Sequence, residues 1–169
     1  VEFRPQADAG WAGWAGLEPF RLNWECRLTQ LESGKIQAQK LFFSGQWHAP
    51  ELSIPKVTAE LYEGNLDGAL QLDVSTRALS LKSFLDFNPH QIGHLLDTNS
   101  QHWLKQFTWQ SPPKLNVAAK LVLPAWTNAQ PAQWNAARRA ASLEGDVKLG
   151  PCGWREINLL SLATPFTYS

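Results

Sequence analysis

Phe20, Leu22, Trp24, Cys26 and Leu28 alternate with Arg21, Asn23, Glu25, Arg27 and Thr29. This period of two puts apolar side chains on one face of a strand and polar ones on the other. A turn at Glu32-Ser33-Gly34-Lys35 leads into IQAQKLFF, a second strand expected to run antiparallel to the first and to break at Gly45. ELSIPKVTAELY predicts a third strand. Its Pro55 has no N–H to give to a ladder, so the strand should lie at an edge, carry a bulge there, or pair there on one side only. Beyond a Glu63-Gly64-Asn65 turn, Leu66, Gly68, Leu70, Leu72 and Val74 share one parity, and Asp67, Gln71, Asp73 and Ser75 the other. A turn at Thr76-Arg77 returns the chain through ALSLKSFLDF and completes a five-strand meander over 18–87.

The period changes at Asn88-Pro89, an N-cap residue followed by the residue best suited to a first helical position. Ile92, Leu95 and Leu96 then carry the three-and-four spacing of a short helix running to about Thr98, and Ser100 can cap a second helix, SQHWLKQF, with Trp103, Leu104 and Phe107 facing inward. Ser111-Pro112-Pro113 ends this helical region of 88–110. Strands resume over 114–169. Leu115, Val117, Ala119, Leu121 and Leu123 share a parity, whereas 124–138 lacks a clean period and predicts a surface loop or a frayed helical turn. SLEGDVKLG echoes LESGKIQAQKL as an acidic Gly turn leading into a strand. A Pro-Cys-Gly turn then precedes the closing strand segment, whose end suggests that the sheet continues in further chain.

The fold class expected is therefore mainly β: a curved antiparallel meander sheet with an apolar concave face, interrupted by one or two short α-helices. The 169 residues form a single domain-sized unit. The chain begins at Val and contains no Met, which reads as a piece of a longer polypeptide whose targeting signal lies outside this window. Fifteen basic and fifteen acidic residues give zero formal charge, no footprint for a nucleic-acid backbone or an anionic membrane. No stretch approaches the roughly 20 apolar residues of a membrane span. Nine tryptophans against two tyrosines must cover large apolar surfaces, chiefly by packing.

Reactive constellations are sparse. His90 and His94 have the spacing of two metal ligands on one helix but no evident third, and both fall on the polar side of that helix. No nucleophile elbow occurs, and Cys152 sits between Pro and Gly with no neighbouring His to activate it. Glu51, Glu60, Glu63 and Asp67 can converge around a hairpin, but they read as the wet face of a sheet. The glycines do not form a phosphate cradle. No cofactor is expected and the chain is expected not to be an enzyme. Cys26 and Cys152 allow a disulfide or two separate thiols.

What remains is surface. If the apolar parities share one concave side, Leu22, Trp24, Leu70, Leu72, Val74, Leu79, Leu81, Leu115, Val117 and Leu121 would line a groove for apolar ligands, with the short helices capping or lining it.

AELYEGNLDGALQLDVSTRALSLKSFLDFNPHQIGHLL resembles the repeat-like C-terminal region of AsmA-like proteins of the bacterial envelope. The likeness covers about 40 residues and rests on Leu61, Tyr62, Gly64, Gly68, Leu70, Leu72, Leu81 and the Leu95-Leu96 pair. Glu63 stands where a second glycine is common. The resemblance implies an elongated sheet with a hydrophobic groove for phospholipid acyl chains, flanked by neighbouring repeats of the same polypeptide. It also implies a place in the periplasm of a Gram-negative bacterium, as part of an inner-membrane-anchored protein acting in phospholipid transport or outer-membrane biogenesis. Membrane contact would come only through segments outside this sequence. Two other readings use the same scaffold. Trp47, Trp126, Trp134 and Trp154, near turns or in loops, would suit a carbohydrate-binding module if exposed and coplanar, and a purely structural scaffold segment needs no ligand.

Overall fold

A computed structural model describes residues 14–33, 36–95, 98–126 and 130–168. Eight strands build one antiparallel sheet: β1 (Arg21–Ser33), β2 (Ile36–His48), β3 (Glu51–Leu61), β4 (Gly64–Asp73), β5 (Ala78–Leu85), β7 (Lys114–Val122), β8 (Ser142–Leu149) and β11 (Leu162–Tyr168), adjacent in that order. The sheet is open rather than closed into a barrel. A second sheet of three short strands, in the order β10 (Ile157–Leu159), β9 (Cys152–Trp154), β6 (Phe107–Trp109), is formed by the excursions after β5 and β8. The helical elements are a 3₁₀ segment, Pro89–Leu95, and two short helices, α1 (Thr98–Leu104) and α2 (Pro131–Arg139).

The mainly β, antiparallel meander with short helices is the fold the alternation predicts. Pro55 explains an irregularity inside it. β3 is a central strand, and its register slips between Ile54 and Val57 against β4 and opposite Ser44–Gln46 on β2, so the missing N–H falls in a bulge. A second shift, between Ala38 and Lys40, is matched by a left-handed Gln30 on β1. It moves the alternation by one residue, so that Ala38 pairs with Leu61 on the apolar side although Leu41 has the opposite parity.

Several expected boundaries move. β2 does not end at Gly45 but runs through it to His48, because the Trp24 indole on β1 lies over Gly45 and fills the place of its missing side chain. The hairpin after β3 turns at Tyr62-Glu63 rather than at Glu63-Gly64-Asn65. Both turn residues are left-handed, with φ of 52° and 60°, the twist that suits a two-residue hairpin, and Gly64 is already the first residue of β4.

Asn88 caps the 3₁₀ segment by accepting the His90 N–H at 3.0 Å, while Leu96 and the Leu95 side chain lie outside the described residues. α1 begins at Thr98 and ends at Leu104. Leu104 is buried, but Trp103 is exposed and Phe107 belongs to β6. The loop expected over 124–138 contains the regular helix α2, with Pro131 opening it and the Gln133 side chain accepting the Gln130 N–H at 2.9 Å. Residues 142–149 form one uninterrupted strand with Gly145 inside it, so the echo of LESGKIQAQKL has no turn there, and the Gly34 turn lies outside the described residues.

The β4–β5 turn is held by Asp73, whose carboxylate accepts from the Ser75 N–H (2.8 Å), the Ser75 hydroxyl (2.6 Å) and the Thr76 N–H (3.1 Å). Burial alone would raise its pKa, but these hydrogen bonds outweigh it and hold the carboxyl below its ordinary value. A depressed folded-state pKa gives stability that is complete above the unfolded value and is lost as pH falls through the folded one. Asp73→Ala should therefore lower stability at neutral pH, with the deficit shrinking below pH 3.8, as urea titrations at a series of pH values will measure.

Candidate functional site

In an antiparallel ladder, directly opposed residues share a face. One row crosses six strands as Leu22, Trp47, Leu52, Leu72, Leu79 and Leu121. The next holds Ile54, Leu70, Leu81, Ala119 and Leu143. Leu85, Leu115 and Val147 form another, and Val117 stands beside Gly145 and Phe166. Trp24 lies on the same face, opposite Gly45. Thus Leu22, Trp24, Leu70, Leu72, Leu79, Leu81, Leu115, Val117 and Leu121 share one side of the sheet, while Val74 lies in the turn after β4 and packs with Trp47 and Leu72.

That face has two regions. At one end it is closed. Trp47, Leu72 and Val74 form a buried cluster with exposures of 3%, 8% and 1%, and Trp14, Leu52, Leu123 and Trp126 pack against it. Trp47 donates its indole N–H to the Leu17 carbonyl at 2.7 Å, and Trp126 donates to the Val74 carbonyl at 2.9 Å. Trp14 stacks on Trp47 with ring centroids 5.6 Å apart and contacts Trp126 at 5.5 Å. Leu72 and Val74 are therefore core residues rather than open lining.

Away from this plug no second layer of described elements seals the face. Leu81 is 36% exposed, and Leu28, Leu162 and Tyr168 are also open to solvent, as is Leu22 on the edge strand beside Trp47. Among the described residues no polar or charged side chain is buried.

The opposite face is polar and internally paired. Lys40 meets Glu60 at 3.0 Å, Arg27 meets Glu25 at 3.1 Å, and Arg27 and Lys56 both lie over the Phe42 ring. Asn116 donates to the Asp146 carboxylate across the β7–β8 pair. Shallow recesses of about 480, 480 and 350 Å³ lie along the sheet, bounded by residues of this face such as Gln71, Asp73 and Lys120, then Asp67, Lys82 and Glu144, then Arg27, Lys40 and Glu60. The apolar face offers a broad surface instead of an enclosed pocket.

A second aromatic cluster, not foreseen from the sequence, sits on the small sheet. Phe107, Trp154 and Ile157 oppose one another, as do Trp109, Cys152 and Leu159. Phe107 contacts Trp103 and stacks with Trp154 at 6.3 Å, with Arg155 over the Trp154 ring. His90 stacks on Trp109 at 4.6 Å, and its Nε2 lies 3.1 Å from the Phe107 carbonyl. His94 instead lies with Nδ1 3.0 Å from the Gln91 carbonyl. The two imidazoles are thus engaged with the chain itself, and no group of three metal-ligating residues occurs among the described residues.

Cys26 and Cys152 are both free thiols, the first half-buried on β1 and the second buried on β9. No described helix is long and apolar enough to cross a membrane. Of the tryptophans weighed as sugar platforms, Trp47 is buried and Trp126 half-buried, whereas Trp134 and Trp154 are exposed on separate elements. No family model, curated protein or solved structure matches the chain.

Proposed function

We propose that this chain is a non-enzymatic segment of an AsmA-like envelope protein, presenting one wall of a hydrophobic groove to phospholipid acyl chains. The carrying observation is an apolar sheet face that spans all eight strands and that, beyond the sealed Trp47–Leu72–Val74 end, no described second layer covers. Acyl chains carry no hydrogen-bonding groups, so an uninterrupted apolar surface suffices to hold them, and the Trp14–Trp47–Trp126 plug would stop them at one end. On this reading the protein works in the periplasm, anchored to the inner membrane through segments outside this sequence, and takes part in phospholipid transport or outer-membrane biogenesis. Neighbouring repeats of the same polypeptide extend the sheet beyond β11.

The test is native mass spectrometry with organic extraction of the protein purified from a bacterial host. Co-purified phospholipid is expected, and it should be lost in Leu81→Lys. Leu81 stands in the open part of the face, so a lysine there can keep its ammonium in water and the fold should survive, as circular dichroism will verify. A lipid-free mass for the wild type, or lipid retained undiminished by a folded Leu81→Lys, would overturn the groove. A purely structural scaffold segment would then become the leading reading, with glycan binding to the exposed Trp103, Trp134 or Trp154 next to test.

A further inference from the structure

β1 forms one margin of the large sheet, and no described strand pairs with its outer side. It is 13 residues long and leaves a row of backbone N–H and C=O groups for another strand to take up. Its polar face carries Glu25 and Arg27, 3.1 Å apart and both well exposed. Its apolar face carries Leu22, Trp24, Cys26 and Leu28, continuous with the apolar face of the sheet.

We propose that this edge is a homodimer interface, in which β1 pairs antiparallel with β1 of a second copy about a two-fold axis at Cys26. Charge and ladder length together select the axis. A dyad at Glu25 or at Arg27 sets like charges against each other, one at Trp24 sets Arg21 against Arg27, and one at Asn23 sets Arg21 against Glu25 but joins only residues 21–25 of the strand. A dyad at Cys26 places Glu25 of each copy opposite Arg27 of the other, two complementary pairs at once, with Asn23 opposite Thr29 on the same face and Trp24 opposite Leu28 on the apolar one. A dyad at Leu28 or farther along the strand forms no complementary charge pair and brings the left-handed Gln30 to the centre of the ladder, whereas the dyad at Cys26 leaves it near the end. Pairing in this way joins the two sheets and their apolar faces into one. The inference rests on the edge and its charges and is independent of what the apolar face carries.

Light scattering of the full chain should give a dimer mass. Glu25→Arg and Arg27→Glu each set like charges together at two places and should weaken the dimer about tenfold or more. Both positions are exposed, so both variants should stay folded. Mixing the two variants should restore a dimer, because each reversed charge then meets its opposite across the dyad, an outcome that repair of the ion pair within one strand does not produce.

The two Cys26 thiols also report the register, since the antiparallel Cα spacings of about 4.5 and 5.5 Å both suit a disulfide. Mild copper-catalysed oxidation by dioxygen, which takes one proton and one electron from each thiol, should give a crosslink retained in Cys152→Ser and lost in Cys26→Ser. A monomeric wild type overturns the proposal, as would occur if other parts of the chain cover the edge. So does a dimer indifferent to both charge reversals, or a mixture that fails to recover.

Discussion

Trp47→Ala should cost about 3–5 kcal/mol of folding stability, the range for removing a large buried aromatic side chain. Trp47 is 3% exposed, and its loss would empty the space between Leu72, Val74 and the Trp14 ring. It would also remove the donor to the Leu17 carbonyl, which ties the helical turn at Trp14–Ala15 to the sheet. A sheet with so little second layer depends heavily on the one place where apolar groups are fully enclosed, and the total stability of a domain is only about 5–15 kcal/mol. Urea unfolding followed by tryptophan fluorescence will measure the loss. Trp134→Ala, on the exposed helix α2, is the control and should stay within about 0.5 kcal/mol of wild type. Equal stabilities for the two variants would mean that the Trp14–Trp47–Trp126 cluster does not hold the sheet end together.

The same cluster marks the limit of what the sequence reveals about the candidate site. Parity within each strand places Leu70 and Leu72, or Leu115, Val117 and Leu121, on one side, and hairpin pairing carries that side from strand to strand. The shared face was therefore readable. Its division into a sealed core and an open surface was not, because it depends on which residues from outside the strands fold over it. Trp14 and Trp126 lie in segments without strand periodicity, and their contacts with Trp47 and Val74 span 33 and 52 positions of chain.

Local chemistry hid other features. Tyr62, Glu63 and Arg155 adopt left-handed turns without the glycine or asparagine that usually signals them. β6, β9 and β10 have three residues each, too few for alternation to register, so the small sheet and its aromatic face went unforeseen. Helix α2 was masked by its polar, alanine-rich composition, with no buried residue to give it an apolar stripe. Pro55, by contrast, marked in the sequence where the ladder would be irregular, and because β3 proves central rather than an edge, the missing N–H is taken up by a bulge.

Both margins of the sheet use one packing device, and this yields the second large effect. On the β1 side the Trp24 indole covers Gly45, and on the β11 side the Phe166 ring covers Gly145, each aromatic standing directly opposite its glycine. An aromatic ring laid over a glycine on the adjoining strand fixes the register of an edge strand, which has only one neighbour to hold it. At Gly145 the constraint is tighter, because a Cβ there would collide with the Asn116 carbonyl oxygen of β7 as well as with the ring. A ring can swing aside, but backbone in the middle of a ladder cannot.

Gly145→Ala should therefore destabilise the protein by about 3 kcal/mol, the upper part of the overpacking range. It should also loosen β11, read as faster amide exchange over Leu162–Tyr168. Gly93→Ala is the matched control. Its Cβ would enter open space, so the substitution should be neutral or stabilising by up to about 1 kcal/mol. A Gly145→Ala protein as stable as wild type, with β11 equally protected, would show that β8 can move away from β7 at no cost, and the register of this edge would then have to be set elsewhere.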